Sequence, residues 1–409
     1  MTTKPVANPV PQRALRAHRP PRPSDRTAVS PEHLADLSHR LTARDRWLAH
    51  LMLEHRVLTA TQITQLGFGV PRTANLRLAK LYQWRVLDRF QPFAERGSAP
   101  MHYVLDLAGA HVLAGAWGLS AADLGYRHDR AVQIAHSLHL AHTVAATGIY
   151  AALVAIARHS GPHSAQGGDV SARQVTAWWS ESRCARYFGT HARPDGYGRW
   201  LEAGREVEFF LEYDFGTEPL ARVAGKLADY HLLAEATSLV TPVLFWFPTP
   251  EREAHARAAI ATALAALPAP PGSVAETRVP VATTASLPAE LALASSAGSL
   301  PDSPAAARWL PVHPTRSDVV GSSQAGGSLG RASARVRLAQ LTGAWPTLSR
   351  PVIPADATPA SAPRVARTIR SGSARRSATA PGKGSWPAPA AMPPHPNIRA
   401  VGRGPGATA

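Results

Sequence analysis

The sequence contains one cysteine and very few lysines. A single thiol, Cys184, among 409 residues excludes an internal disulfide framework and a cysteine-based zinc cluster. It also favours a reducing, cytoplasmic setting. Only two lysines, Lys80 and Lys226, lie between residues 32 and 269, where 23 residues are basic. A lysine near acidic residues is therefore less expected by chance in this chain than in a lysine-rich protein.

Long apolar runs are missing as well. No uncharged apolar stretch reaches 18 residues, and the nearest one, 134–157, is interrupted by three histidines. The first 30 residues carry six basic side chains but lack the apolar segment of a signal peptide. We therefore expect a soluble protein with no membrane contact.

Both ends of the chain are basic and of low complexity. Of the formal net charge of +16, residues 1–31 carry +5 and residues 270–409 carry +10, which leaves +1 for 32–269. Pro and Arg dominate the first segment, and Ala, Pro, Ser, Gly and Arg dominate the second. Such segments bury too little apolar area to offset their ordering entropy. We predict a disordered basic arm over 1–31 and a mostly disordered tail over 269–409, with local order at 308–312 and 334–341.

The charge of the central segment is also uneven. Residues 40–96 have a balance of +6, whereas residues 195–235 have a balance of −5. The first region suits phosphate groups, and the second repels them unless a cation intervenes.

The first part of the central segment has the pattern of a winged helix-turn-helix domain. Apolar spacing predicts helices over Thr42–His55, with Thr42 as N-cap, and over Thr59–Leu66. A third helix is predicted over Arg72–Trp84, with Leu76, Leu81 and Trp84 buried. Two strands, RVLDRFQPF and MHYVLDL, follow around a Gly97-Ser98 turn. This order predicts an α+β winged helix-turn-helix domain over 32–128.

The third helix is the predicted recognition helix. Its outward face offers residue types that reach phosphates and base edges in a major groove, namely Arg72, Thr73, Asn75, Arg77 and Lys80. Arg89 and Arg96 fall on the strand and the tip of the wing. A winged helix that only contacts protein would have a less basic outer face. We therefore predict double-stranded DNA as the partner.

Residues 130–159 are predicted to form one long helix with His136, His139 and His142 at i, i+3 and i+6. The first and last of these lie about 240° apart around a helix, so the three do not converge on a metal ion. Packing or exposed histidines are expected, unless one of them borders a neighbouring site.

Acidic residues cluster in the second part of the central segment. A strand over Val207–Phe215 places Glu212 and Asp214 on one face, about 7 Å apart. The turn at Asp195 precedes this strand, and the helix over 219–235 that follows it carries Lys226. Carboxylates so close are costly to bury unless they are neutralised. We predict Asp195, Glu212 and Asp214 as ligands of Mg²⁺ or Mn²⁺, because these ions prefer oxygen ligands.

These residues carry a resemblance. The segments TATQITQLGF, RTANLRLAKLYQWRVLDRF and RPD…FFLEYDFGTEPLARVAGKLADY resemble the replication-relaxation family of actinobacterial mobile elements over roughly 41–248. The acidic part also resembles the restriction-endonuclease-like PD-(D/E)xK fold, with Pro194-Asp195 as the PD element and Glu212 as the second acid. Asp214 stands where that pattern has its lysine, and Lys226 on the next helix would replace it.

The resemblance implies an α/β restriction-endonuclease-like domain over 129–268, with Asp195, Glu212 and Lys226 as catalytic residues. It also implies a role in the replication, relaxation or transfer of a plasmid or integrative element, with replication or conjugation proteins as further partners. Two functions remain open: a metal-dependent DNA endonuclease, or a non-enzymatic regulator with a degenerate nuclease-like domain. The oligomeric state is not encoded in any of these patterns.

Overall fold

A computed structural model of the chain describes residues 16–19, 26–93, 99–159, 173–268, 279–286, 304–313, 334–345 and 348. Its helices are α1 (Pro31–Arg40), α2 (Ala43–His55), α3 (Ala60–Ile63), α4 (Pro71–Gln83), α5 (Leu107–Ala116), α6 (His128–Gln133), α7 (Leu140–His159), α8 (Glu181–Phe188), α9 (Leu220–Thr237) and α10 (Pro250–Ala266). Its strands are β1 (Arg16–Arg19), β2 (Leu58–Thr59), β3 (Leu87–Phe93), β4 (His102–Leu105), β5 (Arg173–Ser180), β6 (Gly196–Glu202), β7 (Arg205–Tyr213), β8 (Val243–Phe247), β9 (Val281–Ala285) and β10 (Leu310–Val312). The described chain is therefore mixed α/β.

Helices α2 and α3 begin where the sequence signals predict, whereas α1 was not predicted. The Thr42 hydroxyl accepts from the backbone N–H of Asp45, and the Asp45 carboxylate accepts from Thr42 in return, which forms a capping box at α2. Thr59 and Gln62 form the same box at α3. The helix predicted over Thr59–Leu66 continues as a π-helical turn, Thr64–Phe68.

Helix α4 is rotated relative to the prediction. Its buried side chains are Ala74, Leu78, Leu81 and Tyr82, at helical spacing, whereas Leu76 is 63% exposed. Trp84 lies just past the helix and is half-buried. The burial of Leu76 was predicted wrongly because two overlapping apolar stripes run along this helix. Packing against the N-terminal core selects the stripe that contains Leu78.

The N-terminal unit begins before residue 32. Strand β1 pairs antiparallel with β3, and the small sheet has the order β1-β3-β4-β2 among the described strands. Arg26 forms ion pairs with Asp106 and, at 3.4 Å, with Asp88. The predicted disordered arm over 1–31 is thus wrong for residues 16–19 and 26–31. The composition of 1–31 could not show that β1 pairs with the edge of β3, or that Arg26 neutralises the carboxylates of Asp88 and Asp106.

The long helix predicted over 130–159 is also wrong. Helix α6 and a 3₁₀ turn, Ile134–His136, precede a bend, and α7 begins only at Leu140. Ile134 and Leu140 both insert into a small core with Phe90 and Val104, which the bend makes geometrically feasible. Among the described helices, α7 is long and apolar enough over Leu140–Arg158 to cross a membrane, although 61% of that stretch is buried within the protein.

A larger mixed sheet forms the second part of the fold. Its described strands have the order β10-β9-β8-β7-β6-β5, with β5, β6 and β7 antiparallel and with β7, β8 and β9 parallel. The alternation predicted along β7 is confirmed: Val207, Phe209 and Leu211 lie in the core shared with α7, and Phe210 lies in the core shared with α9 and α10. The sheet is therefore covered on both faces.

The C-terminal boundary predicted at residue 268 is wrong. Strand β9 inserts between β8 and β10, and Val281 and Ala282 are fully buried. A 3₁₀ helix, Leu338–Gly343, adds buried Leu338 and Leu341, which agrees with the local order predicted there. Within the low-complexity composition, the short segment VATTA is stabilised by pairing with β8 and not by its own propensity.

We expect truncation after residue 268 to remove the cooperative melting transition of the larger sheet. The truncation leaves the edge of β8 unpaired and exposes the apolar faces that β9 and the 3₁₀ helix cover. Truncation after residue 348 keeps every described contact, so it should melt within a few degrees of the full chain. Circular dichroism melting and limited proteolysis measure both. Equal melting of the two truncated chains would contradict the assignment of β9 to this sheet.

Candidate functional site

Asp195 and Glu212 lie side by side on neighbouring strands. Gly196 begins β6 and pairs with Leu211 of β7, and the backbone N–H of Asp195 donates to the carbonyl of Leu211 at 2.9 Å. This antiparallel register places Asp195 opposite Glu212. Their side chains are only 9% and 4% exposed. The structure thus brings together two of the three predicted acidic ligands.

The Glu212 carboxylate is held by two residues of α9. Its Oε2 accepts from Lys226 Nζ at 2.7 Å, and its Oε1 accepts from the Tyr230 hydroxyl. Lys226 and Tyr230 are four residues apart, so one face of α9 presents both to the strand. Burial and the charge of Asp195 raise the pKa of Glu212, whereas Lys226 and the Tyr230 hydrogen bond oppose the rise, and together they bring it to about 7.

Lys226 lies beside the acidic pair, as the sequence pattern proposed. Burial alone would lower its pKa, but the charges of Glu212 and Asp195 outweigh burial and raise it. Its ammonium group is also 3.7 Å from the carboxylate of Glu218. Lys226 is therefore charged at neutral pH and positioned between carboxylates.

Sequence reasoning did not assign His142 to the site. Its Nε2 lies 3.1 Å from Asp195 Oδ2 and 2.9 Å from the carbonyl oxygen of Tyr213. Burial would lower the pKa of His142, but the hydrogen bond and charge of Asp195 raise it to about 9. The sequence analysis allowed only that one of the three histidines of 130–159 borders a neighbouring site, without naming His142. Asp195 Oδ2 also accepts from the Tyr213 N–H at 2.7 Å.

Asp214 belongs to a different ion pair. Its carboxylate is bound by Arg252 of α10, with Nη2 3.1 Å from Oδ1. The same Nη2 donates to the carbonyl of Glu218. Asp214 was predicted to bind a metal ion together with Asp195 and Glu212, and the structure corrects this by placing it in a separate ion pair with Arg252. Its charge is already compensated by a side chain 38 residues away, which periodicity along one strand cannot reveal.

A cleft of about 90 Å³ opens beside Asp195 and His142. The end of α2 forms one of its walls with Glu54, His55 and Arg56, and the other residues around it are Thr143, Ala146, Thr147, Trp178, Ser180, Glu181 and Ser182. Glu54 Oε1 accepts from the N–H of Ser180 at 3.1 Å and from its hydroxyl at 2.9 Å. The N-terminal helices thus contribute directly to the surroundings of the acidic pair.

A second acidic group lies at the base of the small sheet. Ligand atoms of Asp88, Asp106 and His128 are within 4.8 Å of one another. Two arginines already neutralise these carboxylates, because Arg26 pairs with both and Arg85 lies 3.3 Å from Asp106. We interpret this group as the anchor of the N-terminal segment.

The outward face of α4 is smaller than predicted. Arg72, Thr73, Asn75 and Lys80 are exposed, with Leu76 among them. Arg77 instead binds Asp45 of α2, with Nε 2.9 Å from Oδ1, and donates to the carbonyl of Arg40 at 3.0 Å.

The two wing arginines fall in different places. Arg89 is half-buried and its guanidinium stacks 4.1 Å from the ring centre of Tyr82. Arg96 lies outside the described residues. Four of the seven predicted DNA-contacting side chains thus face outward in the described structure.

Comparison with protein-family models gives a match over part of the chain. Residues 48–244, from α2 to β8, match the model of the replication-relaxation family. The matched segment contains Asp195, Glu212, Lys226 and His142. The match suggests a role in the replication or relaxation of a plasmid or another mobile element. Comparisons with curated proteins and with solved structures gave no match.

We expect Arg77→Ala to lower the free energy of unfolding by about 2–4 kcal/mol, because it leaves the buried Asp45 carboxylate without its cation. Arg72→Ala on the same helix should change it by less than about 0.5 kcal/mol, since Arg72 is exposed. Urea denaturation of the two variants beside the wild type measures the difference. Equal stability of the two variants would contradict the inward position of Arg77.

The His142–Asp195 pair should make stability depend on pH. Because folding raises the pKa of His142 from 6.5 to about 9, its contribution is fully present below pH 6.5 and is lost as pH rises through 9. The full shift corresponds to roughly 3 kcal/mol. Wild type should therefore exceed His142→Gln in unfolding free energy at low pH and approach it above pH 9. A difference that is constant with pH would contradict the ion pair.

Proposed function

We propose that this protein binds double-stranded DNA and acts in the replication, relaxation or transfer of a plasmid or integrative element, with a metal-dependent endonuclease site at Asp195, Glu212 and Lys226. The observation that carries the proposal is the meeting of these three residues in one buried group. Asp195 directly precedes β6, Glu212 is the second-last residue of the neighbouring β7, and Lys226 reaches Glu212 from the following helix. The order of α7, antiparallel β5, β6 and β7, then α9 and parallel β8 supports a restriction-endonuclease-like fold.

The donor set of this group fits a divalent cation such as Mg²⁺ or Mn²⁺. Asp195 Oδ1 accepts no hydrogen bond from the described residues, because the N–H of Tyr213 and His142 both engage Oδ2. The raised pKa of Glu212 means that an added positive charge favours its ionised form. Mg²⁺ is commonly bound by one or two carboxylates, with water and phosphate oxygens as its other ligands. Asp195 and Glu212 would hold it.

The remaining residues have separate roles in this proposal. When bound, the cation supplies Lewis-acid polarisation of a phosphodiester. Lys226 offers a fixed positive charge for the negative charge that develops on the phosphate. His142 and the backbone N–H of Tyr213 hold Asp195 Oδ2, and Oδ1 is the oxygen that would bind the cation. Tyr230 orients Glu212 from the opposite face of the sheet.

The DNA-binding part of the proposal rests on the N-terminal helices. Helix α4 exposes Arg72, Asn75 and Lys80 along one outward face, which matches the expected recognition helix of a winged helix-turn-helix. Basic residues of 1–31 and 269–409, apart from internally paired ones such as Arg26 and Arg335, add nonspecific attraction to phosphate in this proposal.

A second candidate is a non-enzymatic DNA-binding regulator. One observation favours it: both oxygens of Glu212 already have partners, in Lys226 and Tyr230, and Arg252 satisfies Asp214. A group neutralised entirely by its own side chains is stable without a cation. In that case the acidic group would serve the fold.

The two candidates are separated with supercoiled plasmid and Mg²⁺ or Mn²⁺. We expect wild type to cut the plasmid and to gain stability in Mn²⁺, by about 2.7 kcal/mol at a hundredfold excess over Kd. Asp195→Asn should lose both effects, because it removes the ligand charge and keeps the side-chain shape. Lys226→Ala should keep the Mn²⁺ stabilisation and lose cleavage. Asp229→Asn, at an exposed position of α9, is the matched control and should behave as wild type.

If wild type binds DNA but shows neither cleavage nor Mn²⁺ stabilisation, the endonuclease is refuted and the regulator remains. If Arg72→Ala combined with Lys80→Ala leaves DNA affinity unchanged, the role of α4 is refuted.

A further inference from the structure

The residue that ends α2 has an unusual backbone. Arg56 has φ 66° and ψ −42°, and the N–H of Val57 donates to the carbonyl of His55 at 2.7 Å. These values define a γ-turn of positive φ, which is rare and strained for a residue with a Cβ. Strain of this kind persists only where the surrounding structure imposes it, and it concentrates at ligand-binding sites.

The neighbours of Arg56 hold this turn in place. Glu54, two residues earlier, accepts two hydrogen bonds from Ser180 at the end of β5. His55 is buried and its ring lies 5.6 Å from that of Tyr150 on α7. The end of α2 is therefore fixed between α7 and β5. The backbone at Arg56 has little freedom to relax.

The turn directs Arg56 to the cleft beside Asp195. Its side chain is exposed, lines the cleft with His142, and has no hydrogen bond or ion pair with the described residues. Three carboxylates, those of Glu54, Glu181 and Asp195, line the same cleft. An arginine that pairs with none of them keeps its planar set of donors available for an anion from solution.

We propose that Arg56 binds a backbone phosphate of a DNA strand that enters the cleft beside Asp195. This inference rests on the proposed function, because it takes DNA as the ligand. It adds a contact that the N-terminal helices contribute to the acidic site. A DNA molecule bound to α4 would then be positioned at Asp195 by Arg56, which belongs to the same N-terminal unit as α4. A solvated arginine that merely ends a helix would leave DNA binding unchanged when replaced.

The chain offers a matched set of variants. Arg56→Gly removes the guanidinium and also relieves the strain, since glycine accepts a positive φ without cost. Arg56→Gln removes the charge but keeps the Cβ, so its melting temperature should match that of wild type. Arg205→Gln removes the same charge at the other end of the β6–β7 hairpin, about 20 Å from Asp195 along the strand. Arg205 is also exposed.

The experiment measures binding of a fluorescent duplex oligonucleotide by the full chain over a range of salt concentrations, in Ca²⁺ buffer so that the strand is not cut. We expect Arg56→Gly and Arg56→Gln to bind about five- to tenfold more weakly than wild type. The slope of log Kd against log salt should fall by about 0.9, the value for one lost phosphate contact. Arg56→Gly should melt at or above the temperature of wild type, and Arg205→Gln should bind as wild type does.

The outcomes separate this inference from the proposed function. If wild type does not bind the duplex, both are overturned. If wild type binds and both Arg56 variants keep its affinity and salt slope, only the role of Arg56 is overturned. An equal loss in Arg205→Gln would mean that net charge alone matters, and it would overturn the role of Arg56 as well.

Discussion

The central constraint on this fold is the burial of two neighbouring carboxylates, Asp195 and Glu212. Removing charged groups from water costs several kcal/mol for each, and like charges on adjacent strands add to that cost. The compensating cations come from opposite layers: His142 from α7 on one face of the sheet and Lys226 from α9 on the other. The acidic pair therefore forms only when both helical layers are docked, and the site and the fold share the same ion pairs.

The carboxylates of Asp195 and Glu212 can therefore serve two roles, because the same groups stabilise the fold and could bind a cation. An ion pair that is satisfied internally stabilises the resting protein, yet the same carboxylates are the available oxygen ligands for a divalent cation. The pKa of Glu212, raised to about 7, shows that Lys226 and Tyr230 only partly offset its burial. Asp214 lacks this ambiguity, because Arg252 binds it at two atoms and also holds the Glu218 carbonyl. Glu212 and Asp214 thus differ in how their charge is compensated, and this difference supports our proposal of Asp195 and Glu212 as the cation ligands.

Local patterns in the sequence predicted the elements better than their partners. The capping boxes at Thr42 and Thr59 and the alternation along β7 depend on residues a few positions apart, and the structure has them. The contacts of His142 with Asp195 and of Arg252 with Asp214 join residues far apart in the chain, so no periodicity encodes them. Strand β9 was missed for the same reason, since β8 stabilises it across a low-complexity stretch. Lys226 was predicted because it lies on the helix after the acidic strand, where it would replace the lysine of the resembled fold, and the rarity of lysine in this part of the chain supported the choice.

The arginines of this chain show why net charge is a poor guide to which of its cations are accessible. Many of its arginines bind internal carboxylates or carbonyls, among them Arg26, Arg77, Arg85, Arg252, Arg257 and Arg335. Such residues raise the formal charge, but their N–H groups already donate to acceptors within the fold. A phosphate would have to compete with those internal partners. The cations available for the proposed DNA binding are exposed ones, such as Arg72 and Lys80 on α4 and Arg56 at the cleft. The geometry of internal pairing, more than the total charge, therefore determines which cations remain accessible to an anion from solution.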